Sequence, residues 1–542
     1  MVPKTDRPWP CPVIGPLSHR PQRIRPRNGI RGGLAHPSIK GETGVRVDAI
    51  RMGSSMDKMQ VDVGLLVSAM DTAQEMGARY ADLRLQTFVA EDVAAENGDL
   101  KAISQASGTT VGIRALSEGS WGFASKDVPS LEELNSVIMA CMDAAVRNAR
   151  AADRFGKIEL AEVKPVKANI KVPMKKPPAD LETKKAMVME VTKAMKAKET
   201  VMMAVGDILH EDITKYFCST EGALIVQESM RVGGELLVNA SGPGGSQTIW
   251  KPFGAMGGWE FIDKIDPMCL GLETAERARK LVTEAKTPES RETTVVTRPD
   301  FNMLKVHEIV GHPVEADRVL GGEAAWAGRA WWKELAGTRI GSGLITAVSD
   351  ARPSEERLAG FYGTFPYDDE GVPAQRVVHI ERGVLKDFLH SRQTAAIFGT
   401  RPSGAMRANH AGMMPIIRMT NTFFEPDAEG PNTLEDMIGD IKDGILLGHQ
   451  SIPSIDSRRY RFQINAYEGW EIKKGEVGPL LKNVALIGNT SNYLRSIYRV
   501  GGPKTWQLFQ LPNCGKGDPM QIMRVGNGGP LMAGQARILG VA

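Results

Sequence analysis

His307-Glu308-Ile309-Val310-Gly311-His312 places two imidazoles and a carboxylate on six consecutive residues. The backbone needed to use them together constrains how the C-terminal half folds. On a regular α-helix, residues four apart lie about 40° apart around the axis and residues five apart about 140°. His307 and His312 are five apart, so a regular helix cannot aim both at one ion. Two local solutions are open. Gly311 tolerates unusual backbone angles and Pro313 disfavours α geometry at His312, so the helix could end near Gly311 with His312 swung back across its end. Alternatively, a π-bulge could realign the two rings.

The stretch resembles the zincin motif, in which a helix presents two His to a metal beside a Glu that acts as general base, but it is one residue longer. Four segments in order extend the comparison: HEIVGHPVEADRVLGGEAAWAGR (307–329), FPYDDEGVPAQRVVHIERGVLKDFLHSRQTA (365–395), RMTNTFF (418–424) and LPNCGKGDPMQIMRVGNGGPLM (511–532). Together they resemble the TldD/PmbA family of metallopeptidases, strongly from about residue 290 and weakly back to about Val61.

The resemblance implies a Zn²⁺ ion held by His307, His312 and, as third ligand, Cys514, with another divalent metal such as iron also suited to such a set. It places Glu308 as the catalytic base and makes Glu315 and Asp317 candidates for orienting a ligand His. It also draws attention to Arg418 as a partner for a carboxylate near the site. Keeping the complete motif puts the chain with the catalytic subunits of the family, not with their motif-less relatives. The function implied is hydrolysis of short or unfolded peptides inside a dimer cavity, the partner being an identical chain or a motif-less paralogue. Two other readings are a non-catalytic peptide-binding subunit and a metal hydrolase of a modified peptide natural product. The chain departs from the family pattern at Pro313, at Trp326, Trp331 and Trp332, and at Gly448-His449-Gln450-Ser451. These departures bear on substrate preference more than on chemistry.

Other residues carry weaker signals. His410, in Ala-Asn-His-Ala-Gly, sits on a loop from which it could approach substrate, and His449 is similar. His379 lies in an alternating strand and reads as structural. Asp368-Asp369-Glu370 offers oxygen ligands, yet reads better as a turn.

The whole chain, 542 residues with 42% hydrophobic and 24% charged content, exceeds one core and fits a soluble globular protein. A net charge of +3 gives no reason to expect a nucleic-acid partner. Residues 1–55 carry ten Lys/Arg against three Asp/Glu, with eight Pro, and read as a disordered extension. There is no 18-residue apolar run for a membrane helix and no signal-peptide core. The five cysteines, 11, 141, 218, 269 and 514, lack paired spacing and fit a reducing cytoplasm.

The pattern predicts an α+β fold of two domains: an N-terminal α/β domain over 56–290, and a mostly antiparallel β domain over 291–542 that carries the motif helix. Helices are expected at 61–76, from a capping box at Ser130–Glu133 to about 152, at 181–198, at 273–286 and from about Phe301, with Asp300 as its cap. Hairpin turns are expected at Asn97-Gly98 and Ser107-Gly108. The segment 161–180 reads as an exposed connection or edge strand, and the glycine-rich 241–259 as a loop. A β-rich C-terminal domain could bind an extended peptide along a sheet edge.

Overall fold

A computed structural model describes residues 61–152, 158–322 and 330–540. The expectation for 1–55, Trp326 and the last residues of the first family segment lie outside that range.

The N-terminal half is built on one sheet. Helix α1 (Val63–Glu75) starts at Asp62, whose side chain accepts from Gly64 N. Strands β1 (Tyr80–Glu96), β2 (Asp99–Ser117) and β3 (Ser120–Asp127) form a meander, followed by α2 (Leu134–Ala151), β4 (Lys167–Lys171), α3 (Leu181–Lys196), β5 (Val201–Ser219), β6 (Leu224–Gly242) and β7 (Gly245–Met256), then α4 (Glu260–Ile265) and α5 (Pro267–Thr283). The sheet order is β3-β2-β1-β5-β6, with β4 and β7 both on the far edge of β6. Strands of 17 and 19 residues are about three times the usual length, long enough to carry two separate helix layers. α1 and α2 cover one end, burying Leu83, Leu85, Val111 and Ile113. α3 and α5 cover the other, burying Val93, Ala204 and Ile208.

Two local expectations fail here. Ser107-Gly108 is no turn: it lies inside β2, opposite Val89 and Phe88, and the second turn falls at Glu118-Gly119, both at positive φ. Nor is the glycine-rich 241–259 a loop, because most of it is β7. Gly254 serves close approach instead: a Cβ there would lie 1.9 Å from the Tyr362 hydroxyl of the C-terminal half. The segment 161–180 does carry an edge strand, β4, paired in parallel with β6.

In the C-terminal half, β8 (Arg291–Thr297) leads into α6 (Pro299–Val306) and a π-helical turn, His307–Gly311, then the short α7 (Ala316–Leu320). There follow β9 (Ala347–Asp350), β10 (Arg376–Glu381), β11 (Val384–Leu385), β12 (Met406–Arg407), β13 (Ile416–Ile417), β14 (Asn421–Phe424), β15 (Asp443–Ile455), β16 (Arg461–Lys473), β17 (Glu476–Leu481), β18 (Val484–Asn489), β19 (Arg499–Val500), β20 (Gln507–Lys516), β21 (Gln521–Gly529) and β22 (Met532–Gly540). Strands β15-β8-β22-β18-β16 close into a ring, because β16 pairs back to β15. A second sheet runs β11-β10-β9-β14-β21-β20, so β20 is an edge. Pairing is antiparallel except for β15 with β8 and β14 with β21. The expected α+β class, with a mostly antiparallel C-terminal half, is what the chain adopts.

α6 packs against β21 and β20 of the open sheet and against β15 of the ring. Every residue of α6 is buried. Pro299 occupies its first turn and Arg298, not Asp300, is its N-cap; Pro suits a first helical position because its missing N–H would have had no partner there. One core cluster runs from α3 and α5 through α6 into both C-terminal sheets, which ties the motif to a rigid surround.

Candidate metal centre

The π turn resolves the spacing problem. His312 N donates to His307 O at 3.1 Å, and an i→i+5 bond stacks residues five apart where an α-helix would splay them. The helical run does end at Gly311, with His312 as its C-cap, but His312 keeps right-handed helical angles, φ −67° and ψ −40°, despite Pro313. Gly311 is needed for space, not for unusual angles: a Cβ there would lie 2.0 Å from Met419 Sδ. Gly311→Ala is therefore expected to cost about 1–3 kcal/mol through overpacking, seen as a lowered Tm.

The two rings meet edge to face, with centroids 4.7 Å apart and planes at 81°. Cys514 arrives from 202 residues away on the edge strand β20, immediately after a bulge that follows Leu511. The bulge contains Pro512, which has no N–H to give to a ladder. Cys514 Sγ lies 3.7 Å from His312 Nε2. The two His and Cys514 offer ligand atoms that all lie within 4.8 Å of one another, and all three residues are buried.

Each ring is oriented from behind. His307 Nδ1 is 3.0 Å from Asn527 Oδ1, and Asn527 is itself fixed because its Nδ2 donates to Thr422 O at 3.1 Å. His312 Nδ1 is 3.0 Å from Glu315 Oε2. With each Nδ1 engaged from behind, the two Nε2 atoms are left to face Cys514. Glu315 also accepts from Arg318 Nε at 2.7 Å and lies 3.4 Å from Lys516 Nζ. Burial alone would raise its carboxyl, but Lys516, Arg318 and His312 hold it well below the usual carboxylate range. Burial would likewise raise the Cys514 thiol; the positive charge of His307, Arg418 and His312 overrides it and keeps the thiol well below its ordinary range. A thiolate and two imidazoles, which would be neutral once a metal took the place of their Nε2 protons, with room for a fourth ligand, suit zinc in a hydrolytic site.

Glu308 is buried beside the cluster and pairs with Arg459 Nη1 at 2.7 Å. Burial opposes its charge, but Arg459, His312 and His307 more than offset that and lower its pKa. Arg459 sits in the β15–β16 turn at φ +60°, an uncommon angle for a non-glycine residue and one that clusters at functional sites. Glu308, both His, Cys514 and Arg459 line a cavity of about 730 Å³, walled by β15 and by Leu511 and Ile522 of the facing strands.

The remaining candidates separate. Asp317 is one step further out, 2.8 Å from the Lys516 ammonium that also approaches Glu315. Among the described residues Arg418 pairs with no carboxylate: it donates to the carbonyls of Cys514 and Gln521 and so pins β20 to β21 beneath the ligand. His410 does not line the cavity and packs edge-on against Phe88. His449 is turned away from it, bonded to Asp300 at 2.7 Å and Glu468 at 3.0 Å. His379 sits between Ser349 Oγ and the Asp387 carbonyl. Asp368 spends its oxygens on the backbone N–H groups of Glu370, Val372 and Met406, forming the expected turn. Sequence reasoning missed Asn527 and Arg459. Asn527 lies inside the last family segment, whereas nothing in the Arg458-Arg459 dipeptide distinguishes it from a solvated pair.

With this geometry in hand, comparison with known proteins is direct. Residues 81–152, 175–282 and 290–532 match, in turn, domain 1, the central domain and the C-terminal domain of the PmbA/TldA metallopeptidases. The first two divide the single N-terminal sheet between its strands, 81–152 holding β1–β3 with α2 and 175–282 holding β5–β7 with α3, α4 and α5. A metalloprotease of Methanothermobacter thermautotrophicus is 31% identical over 87% of this chain and 97% of its own length. The zinc metalloprotease TldD homolog of Saccharolobus solfataricus is 25% identical over 84% and 96%. Among solved structures, TldE from Thermococcus kodakarensis shares the fold at a TM-score of 0.64 and 18% identity, covering 88% of this chain and 100% of that one. The chain belongs to the PmbA/TldD metallopeptidase family. No helix among the described residues is long and apolar enough to cross a membrane.

Proposed function

We propose that the chain is a zinc-dependent peptidase that hydrolyses short or unfolded peptides. The observation that carries this reading is the convergence of His307, His312 and Cys514 with a buried, ionised Glu308 beside them at the floor of one cavity. When bound, a zinc ion supplies Lewis acidity and lowers the pKa of water. The chain's own groups do the rest. Glu308 takes the proton of the attacking water and passes it to the leaving amine. Arg459 holds that carboxylate in place from across the cavity. Glu315 and Asn527 fix the two imidazoles, and Arg418 fixes the strand that bears the thiolate. The edge strand β20 next to the ligand thiol has free main-chain groups on one side, so an extended peptide could add there with little side-chain preference. The same reading has the chain working in the cytoplasm as a dimer, with an identical copy or a motif-less paralogue closing the cavity.

Fluorogenic unstructured peptides and a folded protein of the same sequence content test the proposal. Cleavage of the peptides only, abolished by a zinc chelator and restored by zinc, is expected. A metal-replete chain that binds peptides without turning them over would instead be a binding subunit, and cleavage confined to modified peptide products would favour the natural-product hydrolase. Arg459→Met is expected to leave metal content unchanged and to lower kcat by about 10²-fold, because Glu308 loses its anchor. Single-turnover rates beside metal analysis check this.

A further inference from the structure

A second cavity, of about 100 Å³, adjoins the first, and Ile522 lines both. Four cations converge on it from both halves of the chain: Lys215 of β5, Arg231 of β6, Arg407 of β12 and Arg524 of β21. Among the described residues, the carboxylates they contact are Glu211 and Asp369. Glu211 is shared, with one oxygen 2.9 Å from Arg231 and 3.5 Å from Arg524. Asp369 lies 3.3 Å from Lys215, accepts from Ala408 N, and also feels the charge of Arg84. Asp368 faces the pocket but gives its oxygens to backbone N–H groups. Among the described residues, Arg407 donates to the carbonyls of Met419 and Arg524 and contacts no carboxylate. Positive charge thus exceeds negative in a half-buried pocket, where unneutralised charge is costly and an anion is attracted. The strain shows in the groups themselves. Burial, followed by the neighbouring Arg418 and Arg231, pushes Arg407 down to about 9. Burial together with Arg524 brings Arg231 to about 10 despite Glu211. Lys215, Arg231 and Arg524 keep 29%, 18% and 30% of their side chains exposed, so a ligand can reach them.

We infer that this pocket is an anion subsite for the C-terminal carboxylate of a short peptide whose scissile bond lies at the metal cluster, a reading that rests on the peptidase function proposed above. Guanidinium groups recognise carboxylates bidentately. A peptide following β21 past the 40%-exposed Ile522 would bring its end to them. A terminal carboxylate and an acidic side chain share this chemistry, so both are compared.

The test is binding by fluorescence anisotropy to the full chain carrying Glu308→Gln, which suppresses turnover. Three N-terminally labelled tetrapeptides are used: a free acid, its C-terminal amide, and an amide ending in Glu. The free acid is expected to bind at least about ten-fold tighter than its amide, with the Glu amide no tighter than the plain amide. Arg524→Gln, at the exposed rim, is expected to shrink that ratio several-fold while leaving amide binding unchanged. Arg231→Met with Arg407→Met is expected to remove it. Equal binding of acid and amide, or no binding of either, overturns the inference, and the comparison in the Glu308→Gln chain with no further substitution decides this even if the double variant does not fold. A Glu amide as tight as the free acid overturns the C-terminal assignment. Because no cleavage is needed, loss of this subsite is distinguishable from failure of the peptidase proposal, which would appear as metal-loaded wild type without turnover.

Discussion

Glu308→Gln is expected to leave metal content at the wild-type level and to lower peptide turnover by about 10²–10⁴-fold, the usual worth of general acid–base catalysis. The substitution is nearly isosteric, and the amide oxygen can still accept from Arg459, which now sits 2.7 Å from the carboxylate. What the amide cannot do is take a proton. Glu308 is poised for that task by its setting: burial would favour the neutral acid, but Arg459, His312 and His307 keep it ionised. It does not share in the three-residue cluster, so metal should stay. The comparison needs kcat and metal analysis on the same preparation. A variant that keeps wild-type kcat would remove Glu308 from the chemistry.

Cys514→Ser is expected to weaken metal binding by more than about 100-fold, beyond what loss of an orienting residue costs. Serine fits the space, but its hydroxyl stays protonated at neutral pH, whereas the Cys514 thiol is held well below the ordinary thiol range. Two imidazoles alone would remain. The variant should fold, because its strand is held by the β21 ladder and by Arg418 on the Cys514 and Gln521 carbonyls. Competition titration with a chromogenic chelator measures the loss, and an unchanged affinity would place the third ligand elsewhere.

The parts of this site that could be read in the sequence are those encoded locally. The motif at 307–312 announces its ligands by residue type, and its spacing by itself demands a non-α turn. Of the two backbone solutions, the π turn is realised; the helical run ends at Gly311 as its breakers suggest, but Pro313 misleads about His312, which keeps helical angles. Here the surround overrides it: Met419 needs the room that Gly311 leaves, and α6 is buried on every side. Long-range partners are a different matter. Nothing near Cys514 points to His312, 202 residues away; only the family resemblance joined them. Arg459 reaches Glu308 across 151 residues through a turn whose positive φ no composition rule would assign. The strand ring in the C-terminal half was invisible for the same reason, since closing it depends on β16 pairing back to β15. Alternation around His379 located β10, whereas glycine counting mistook β7 for a loop, because Gly254 and Gly257 mark contacts with Tyr362 and Phe261.

The central claim is that one divalent metal is held by His307, His312 and Cys514. X-ray absorption at the zinc edge of the purified full chain tests it most directly. One sulfur neighbour at about 2.3 Å and two imidazole nitrogens at about 2.0–2.1 Å are expected, with a light atom completing the shell. Bound metal with no sulfur in its first shell would contradict it.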